Sequence, residues 1–392
     1  MLNLANRTLD AWDRSRGKPS FAIGAEEAIG LARRETGLSD FGDDIDLSVR
    51  AMCDALVRPP GMTPVGRFVR RREILALLRT KLHVTHAIAS DLGPSGEVIE
   101  NPWFVLGLPR SGTTLLHRLI AEDPRHRAPL FWEINAFFPR PASPNDGPDP
   151  RLKAAERTIR LMARTAPDFR AIHDVTASSP EECVGILGLG LLANGSVKRA
   201  YEIHRQYLRL LQRGSLPRKW VLKAPLHMLN LRSLLEEYRD ACIIQMHRDP
   251  IHVVPSLASL MAAEARQRHR TVDLAKVGRK AFQTALYMVR TGLDVRDKVE
   301  GADPGRKFID VRYDDLVADP IAAVAGVYRA FESDLSEAAR ASMARFLSRD
   351  HGNRTRRHRY SLDEFGLDAD AIRLEFADYI DRFLTPPGKG VL

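Results

Sequence analysis

The sequence predicts an α/β fold in which helices flank a central, mostly parallel β-sheet, preceded by a helical extension. Three observations carry that expectation. From Asn101 onward, short runs rich in β-branched and aromatic residues alternate with longer helical patterns. The first of those runs, Trp103 to Leu106, passes through a glycine-bounded turn directly into a helical pattern. Residues 1 to about 95 show helical periodicity alone, which divides the chain into an extension (1–95) packed on the core and an α/β domain (96–392).

In chain order, apolar residues fall at helical spacing through Ala25 to Thr36, Asp46 to Val57 and Val65 to Ala89, with Ser39-Asp40-Phe41-Gly42-Asp43-Asp44 breaking the first two apart. The predicted strands are Trp103 to Leu106, Trp220 to Lys223, Cys242 to Met246 and Phe308 to Tyr313. Between them Arg151 to Ala166, Glu181 to Ala193, Ala200 to Arg213, Leu226 to Tyr238, His252 to Arg268 and Val272 to Val299 read as helices, enough to cover both sheet faces. The stretch Pro139 to Pro150 is neither helix nor central strand, because its prolines remove amide donors and restrict their neighbours. It reads as a loop, either a plain connector or a gate over the site.

Composition narrows the classes. With 392 residues, 44% hydrophobic and 28% charged, the chain is of ordinary globular type, and its net charge of +9 suits polyanionic small molecules. Sparse aromatics, not interleaved with the basic clusters, argue against a nucleic-acid partner. Cys53, Cys183 and Cys242 are odd in number and lack metal-ligand spacing, so a reducing, cytoplasmic location is expected. Neither a signal peptide nor a transmembrane segment is read.

The run Gly107-Leu108-Pro109-Arg110-Ser111-Gly112-Thr113-Thr114 is suited to hold a phosphate. Helix-opening amides have no internal partners and lie at the positive end of the dipole, while the glycines let backbone wrap an anion. The glycine spacing is that of a nucleotide-binding P-loop, yet Thr113 stands where its lysine belongs and the cation sits at Arg110. A second strand-turn-helix run, Ile243 to Ser256, places Arg248 at a strand end and Ser256 inside the next helix, converging on another anion at the carboxyl edge of the sheet.

Taken together, the P-R-S-G-T-T loop, a K-x-P segment at Lys223 and the H-R-D-P turn at Arg248 resemble the bacterial sulfotransferases that use 3′-phosphoadenosine 5′-phosphosulfate (PAPS), over roughly residues 100 to 380. The resemblance implies a P-loop-like sulfotransferase fold and in-line transfer of a sulfuryl group to a hydroxyl or amine of a small-molecule, lipid or glycan acceptor, with no metal. It assigns Arg110, Ser111, Gly112, Thr113 and Thr114 to the 5′-phosphosulfate, and Arg248 with Ser256 to the 3′-phosphate. Tyr313, in Y-D-x-L, lies near the adenosine, and Arg356 and Arg357 belong to a late basic loop that could close over the 3′-phosphate. Lys223 resembles the lysine that contacts the sulfuryl group in tyrosylprotein-type enzymes. Glu133, among apolar neighbours that would raise its pKa, lies a couple of residues beyond the position of their catalytic glutamate. A structural ion pair with a nearby arginine is the alternative for Glu133, and His117, His173 and His227 are rival bases. Alternatives for the whole chain are a P-loop small-molecule kinase, which would require the absent lysine, and a non-catalytic nucleotide-binding protein. Acceptor identity and oligomeric state are not legible.

Overall fold

The protein is described by a computed structural model over residues 2–58, 61–91, 98–135, 149–172, 174–193, 195–213, 218–306, 308–350 and 361–385. Arg356, Arg357, His173 and most of the Pro139 to Pro150 stretch lie outside the described residues.

Five strands, β1 (Trp103–Gly107), β2 (His126–Arg127), β3 (Lys219–Lys223), β4 (Cys242–His247) and β5 (Phe308–Arg312), form one sheet in the order β2-β3-β1-β4-β5. Every pairing is parallel, so all carboxyl ends lie along one edge. The period-two alternation of strands divides the core. Trp103, Val105, Val221, Ile244 and Met246 face a layer that includes helices Thr113–Ala121, Pro320–Ala330 and Glu337–Asp350. Phe104, Leu106, Leu222 and Ile243 face the opposite layer, with helices Val184–Leu191, Val197–Gln212, Pro250–Arg268 and Leu274–Ala302.

Three helices start on an Asp-Pro step, at Asp149-Pro150, Asp249-Pro250 and Asp319-Pro320, where the aspartate caps an early amide and proline fills the first helical position. The step at Asp249 is what turns the chain out of β4 and into the helix carrying Ser256. In the extension, helix Pro64–Asp91 links two cores: Leu78 and Leu82 pack with helices Ala25–Thr36 and Asp46–Asp54, while Val84 joins the core beneath the sheet.

Several boundaries differ from the sequence expectation. The two-residue strand β2 and helix Leu2–Arg16 were not foreseen. The run expected as one helix from Leu226 to Tyr238 splits into a 3-10 turn at Pro225–Met228 and helix Leu231–Glu237. Tyr313 belongs not to β5 but to the first turn of helix Tyr313–Ala318. The helix expected from Glu181 begins at Val184, because backbone groups just ahead of it bond elsewhere: Glu181 N donates to Pro129 O and Cys183 N to Lys223 O, each at 2.8 Å. Glu182 is thereby held in irregular chain across the carboxyl end of β3.

Candidate active site

The loop after β1 has the shape its sequence requires. Gly107 and Gly112 have φ of +140° and +95°, which L side chains rarely adopt. Space also excludes a side chain: a Cβ would lie 2.6 Å from the Met246 carbonyl oxygen at Gly107 and 2.7 Å from the Tyr313 ring at Gly112. Ser111 is fully buried and turns inward, its hydroxyl and amide both donating to the Leu108 carbonyl, at 2.6 and 3.2 Å. Its hydroxyl therefore braces the loop from within. Leu115 and Leu116 make the first helical bonds, to the Gly112 carbonyl, so the Thr113 and Thr114 amides stand ahead of the ladder. Thr113 is buried and Thr114 exposed.

Arg110 is one of few non-glycine residues at positive φ, +71°. That conformation costs about 1–3 kcal/mol and persists only when neighbours hold it. The neighbours are the second motif. Arg248 donates from Nη1 to the Arg110 carbonyl at 2.8 Å, and Arg110 Nε donates to Ser256 Oγ at 3.1 Å. The structure thus brings together the two runs that the sequence read separately, more than 130 residues apart, as one network. The Arg248 guanidinium lies 4.0 Å from the Tyr313 ring centroid. Its Nε is buried with no hydrogen-bond partner among the described residues.

Behind Arg248, His247 Nε2 lies 2.7 Å from Asp310 Oδ1, and Arg296 grips both oxygens of Asp310 at 2.6 and 2.9 Å. Burial alone would raise the Asp310 pKa, but the hydrogen bonds from His247 and Arg296 outweigh it and hold it down to about 2. This network ties β4 to β5 next to the guanidinium. Its members are scattered from Gln245 to Tyr379, so no local pattern in the sequence announces it.

On the other side of the loop, Lys223 ends β3 almost fully buried. Its ammonium donates to Thr114 Oγ1 at 3.2 Å and is ion-paired with the Glu182 carboxylate. The lysine therefore sits beside the start of the loop helix. Glu182 was missed by sequence reasoning, which absorbed it into a helix. The available signal was Glu181-Glu182 following Ser178-Ser179-Pro180, a break ahead of the helical pattern.

Glu133 is placed differently. Its Oε1 accepts from Arg127 Nη2 at 2.6 Å and its Oε2 from the Leu130 amide at 2.9 Å, with the side chain 5% exposed. Arg127 in turn lies over the Trp220 ring at 4.7 Å, near the start of β3 rather than its end. The geometry is that of the structural ion pair. The rival histidines are core groups too: His117 Nε2 lies 3.1 Å from the Val221 carbonyl and His227 Nδ1 2.8 Å from the Tyr201 hydroxyl, both fully buried. Burial first, then the nearby Lys223 charge, pulls His117 down to about 3, and burial holds His227 well below its ordinary range.

A model described as the sulfotransferase family matches residues 102–337. The chain belongs to that family. It is similar to the solved sulfotransferase STF1 of Mycobacterium tuberculosis H37Rv, with 28% identity, 91% of this chain and 99% of that one covered, and a TM-score of 0.76. Sulfotransferase STF9 of Mycobacterium avium is similar at 25% identity, with 92% and 96% covered and a TM-score of 0.75. Both confirm the fold expected of the family, a mostly parallel sheet flanked by helices. Among curated proteins, omega-hydroxy-beta-dihydromenaquinone-9 sulfotransferase Stf3 of Mycobacterium bovis is 27% identical over 253 residues, 59% of this chain. The match spans 63% of that relative's length. Among the described residues, no helix of this sulfotransferase-family chain is long and apolar enough to cross a membrane.

Proposed function

We propose that the chain transfers a sulfuryl group from PAPS to a hydroxyl or amine of a small amphiphilic acceptor. The observation that carries this is the shared network of Arg110, Arg248 and Ser256: two anion-binding turns, on neighbouring strands, locked into one unit. A nucleotide with phosphate groups at both the 5′ and 3′ positions fits such a pair, with the Arg248 guanidinium as the charged donor for a 3′-phosphate. The amides of Gly112, Thr113 and Thr114 would hold the 5′-phosphate, with Tyr313 backing both Gly112 and Arg248. PAPS, when bound, supplies the sulfuryl group and its leaving phosphate. Arg110 and Lys223 then offer two cations for charge developing on the bridging oxygen and sulfuryl oxygens, so the scheme calls on no metal.

The acceptor is read from a cavity of about 270 Å³ between helices Pro64–Asp91, Pro150–Thr165 and Val184–Leu191, with Leu77, Ile134, Leu161, Met162 and Leu189 among its walls. Gly185, also in its lining, follows Glu182 by three positions, across the start of helix Val184–Leu191. An apolar body housed there could present its hydroxyl at the end of β3. The name of the similar Stf3 protein, which specifies a hydroxylated menaquinone, is of that chemical class. The three free cysteines fit a reducing compartment.

Calorimetry with adenosine 3′,5′-bisphosphate, joined to transfer of ³⁵S from labelled PAPS to a panel of long-chain alcohols, phenols and amines in EDTA, tests the reading. Bisphosphate binding and EDTA-resistant transfer are expected. ATP consumption dependent on a divalent cation, without bisphosphate binding, refutes it.

A further inference from the structure

Transfer to a hydroxyl requires a group that takes its proton, and among the described residues the candidates read from the sequence, Glu133, His117 and His227, are engaged elsewhere. Glu133 has each carboxylate oxygen in a hydrogen bond and its side chain 5% exposed. Its partner Arg127 stacks on Trp220, which precedes Lys223 by three positions, or roughly 10 Å along the strand. His117 and His227 are fully buried in core contacts.

Glu182 differs in each respect. Its carboxylate touches the ammonium of Lys223, the same ammonium that donates to Thr114 at the opening of the loop helix. It therefore lies one side chain away from where the sulfuryl group would sit. Its side chain keeps 27% of its surface exposed, so an acceptor can approach. Its backbone is fixed on both sides, by Glu181 N to Pro129 O and by Cys183 N to Lys223 O, which holds the carboxylate against the end of β3 without a flexible tether. The next residue but one, Val184, is 42% exposed, and Gly185 lines the apolar cavity.

We infer that Glu182 is the general base. This rests on the sulfuryl-transfer reading above. As the acceptor oxygen attacks sulfur, an O–S bond forms and its O–H bond breaks, the proton passing to a Glu182 carboxylate oxygen. The S–O bond to the bridging oxygen breaks with its electron pair going to the 5′-phosphate, whose charge Arg110 and Lys223 meet. The ion pair has a second consequence. With donor bound, Lys223 turns to the sulfuryl oxygens and frees a Glu182 carboxylate oxygen for the acceptor hydroxyl.

The test is Glu182→Gln against Glu133→Gln, assayed with PAPS at about pH 8.5 on phenol, which stays protonated there, and on p-nitrophenol, which is almost fully ionised and needs no base. With phenol, Glu182→Gln should lower turnover by about 100-fold or more, the ordinary worth of a positioned base. With p-nitrophenol the loss should shrink to a few-fold, while affinity for adenosine 3′,5′-bisphosphate holds or rises because Lys223 is released. Equal losses on both phenols, or a phenol-selective loss in Glu133→Gln instead, overturn the assignment to Glu182 alone. A wild-type protein that neither binds the bisphosphate nor sulfates any acceptor overturns the sulfuryl-transfer reading, and the base with it.

Discussion

Replacing Arg248 by alanine separates the two anion sites energetically. In the intact protein its Nη1 holds the Arg110 carbonyl at 2.8 Å and its buried Nε has no partner among the described residues. A charge-assisted hydrogen bond contributes about 1.5–3 kcal/mol, and the bond that steadies Arg110 about 0.5–1.5 kcal/mol. A ligand carrying a 3′-phosphate should lose both, about 2–4 kcal/mol, or roughly 30- to 1000-fold in affinity at 1.4 kcal/mol per tenfold. Adenosine 5′-monophosphate feels only the loosened loop and should weaken by about 2- to 10-fold. Calorimetric titration of both nucleotides into wild type and Arg248→Ala reads the difference, with Ser256→Ala as a smaller perturbation of the same network. Equal weakening of the two nucleotides would show that Arg248 does not bind a 3′-phosphate, and that its bond to Arg110 has a purely structural purpose.

Gly112→Ala should be costly on two counts, since φ is +95° and the new Cβ would lie 2.7 Å from the Tyr313 ring; a loss of about 2–4 kcal/mol, read as a lower thermal midpoint with weakened bisphosphate binding, is expected. Glu133→Ala removes the acidic partner of the half-buried Arg127, which keeps its bond to the Leu211 carbonyl, and should destabilise the fold by about 1–3 kcal/mol in urea titrations, while turnover per folded molecule survives. Acid should weaken the fold early, because His117 and His204 are held neutral down to about 3 by burial whereas the unfolded chain protonates them near 6.5. Their contribution is full above about pH 6.5 and lost as pH falls toward 3, so His204→Leu should flatten the decline of the urea midpoint between about pH 7 and pH 5. Met162→Trp, which narrows the apolar cavity, should raise KM for a long-chain alcohol by about tenfold, the worth of two buried methylenes, and leave KM for phenol alone.

What the sequence disclosed and what it withheld divide along a physical line. The strands β1, β3 and β4 were legible because largely apolar runs bounded by turn residues leave little choice, and β5 because Phe308, Ile309 and Val311 favour strand around the polar Asp310. The loop and the H-R-D-P turn were legible because backbone geometry there depends on local chemistry: glycine at positive φ, and an Asp-Pro step that caps a helix. Glu133 and Glu182 show the limit. Both are acidic residues beside apolar ones, and no local pattern tells which carboxylate a distant arginine has claimed. Arg127 reaches Glu133 from six positions away, whereas Glu182 meets Lys223 from 41 away, a contact decided by where segment 177–183 crosses the sheet edge. The same holds for the Asp310 network, whose Arg296 and His247 come from a helix and a strand far apart in the chain.

The displaced cation of the loop follows from the same geometry. In a lysine-bearing P-loop the cation stands on the first helical turn; here that position is Thr113, and it is buried. A long charged side chain there would have to cross the packed base of the loop. The charge sits instead at Arg110, whose left-handed backbone, φ +71°, is held by a bond from Arg248 to its carbonyl. The second anion site is therefore also the support of the first. A donor lacking a 3′-phosphate leaves Arg248 held on one side only, so the apex cation is best fixed when both phosphate sites are filled. On this geometry the 3′-phosphate acts as more than an affinity handle, and a donor without it should lose turnover as well as binding.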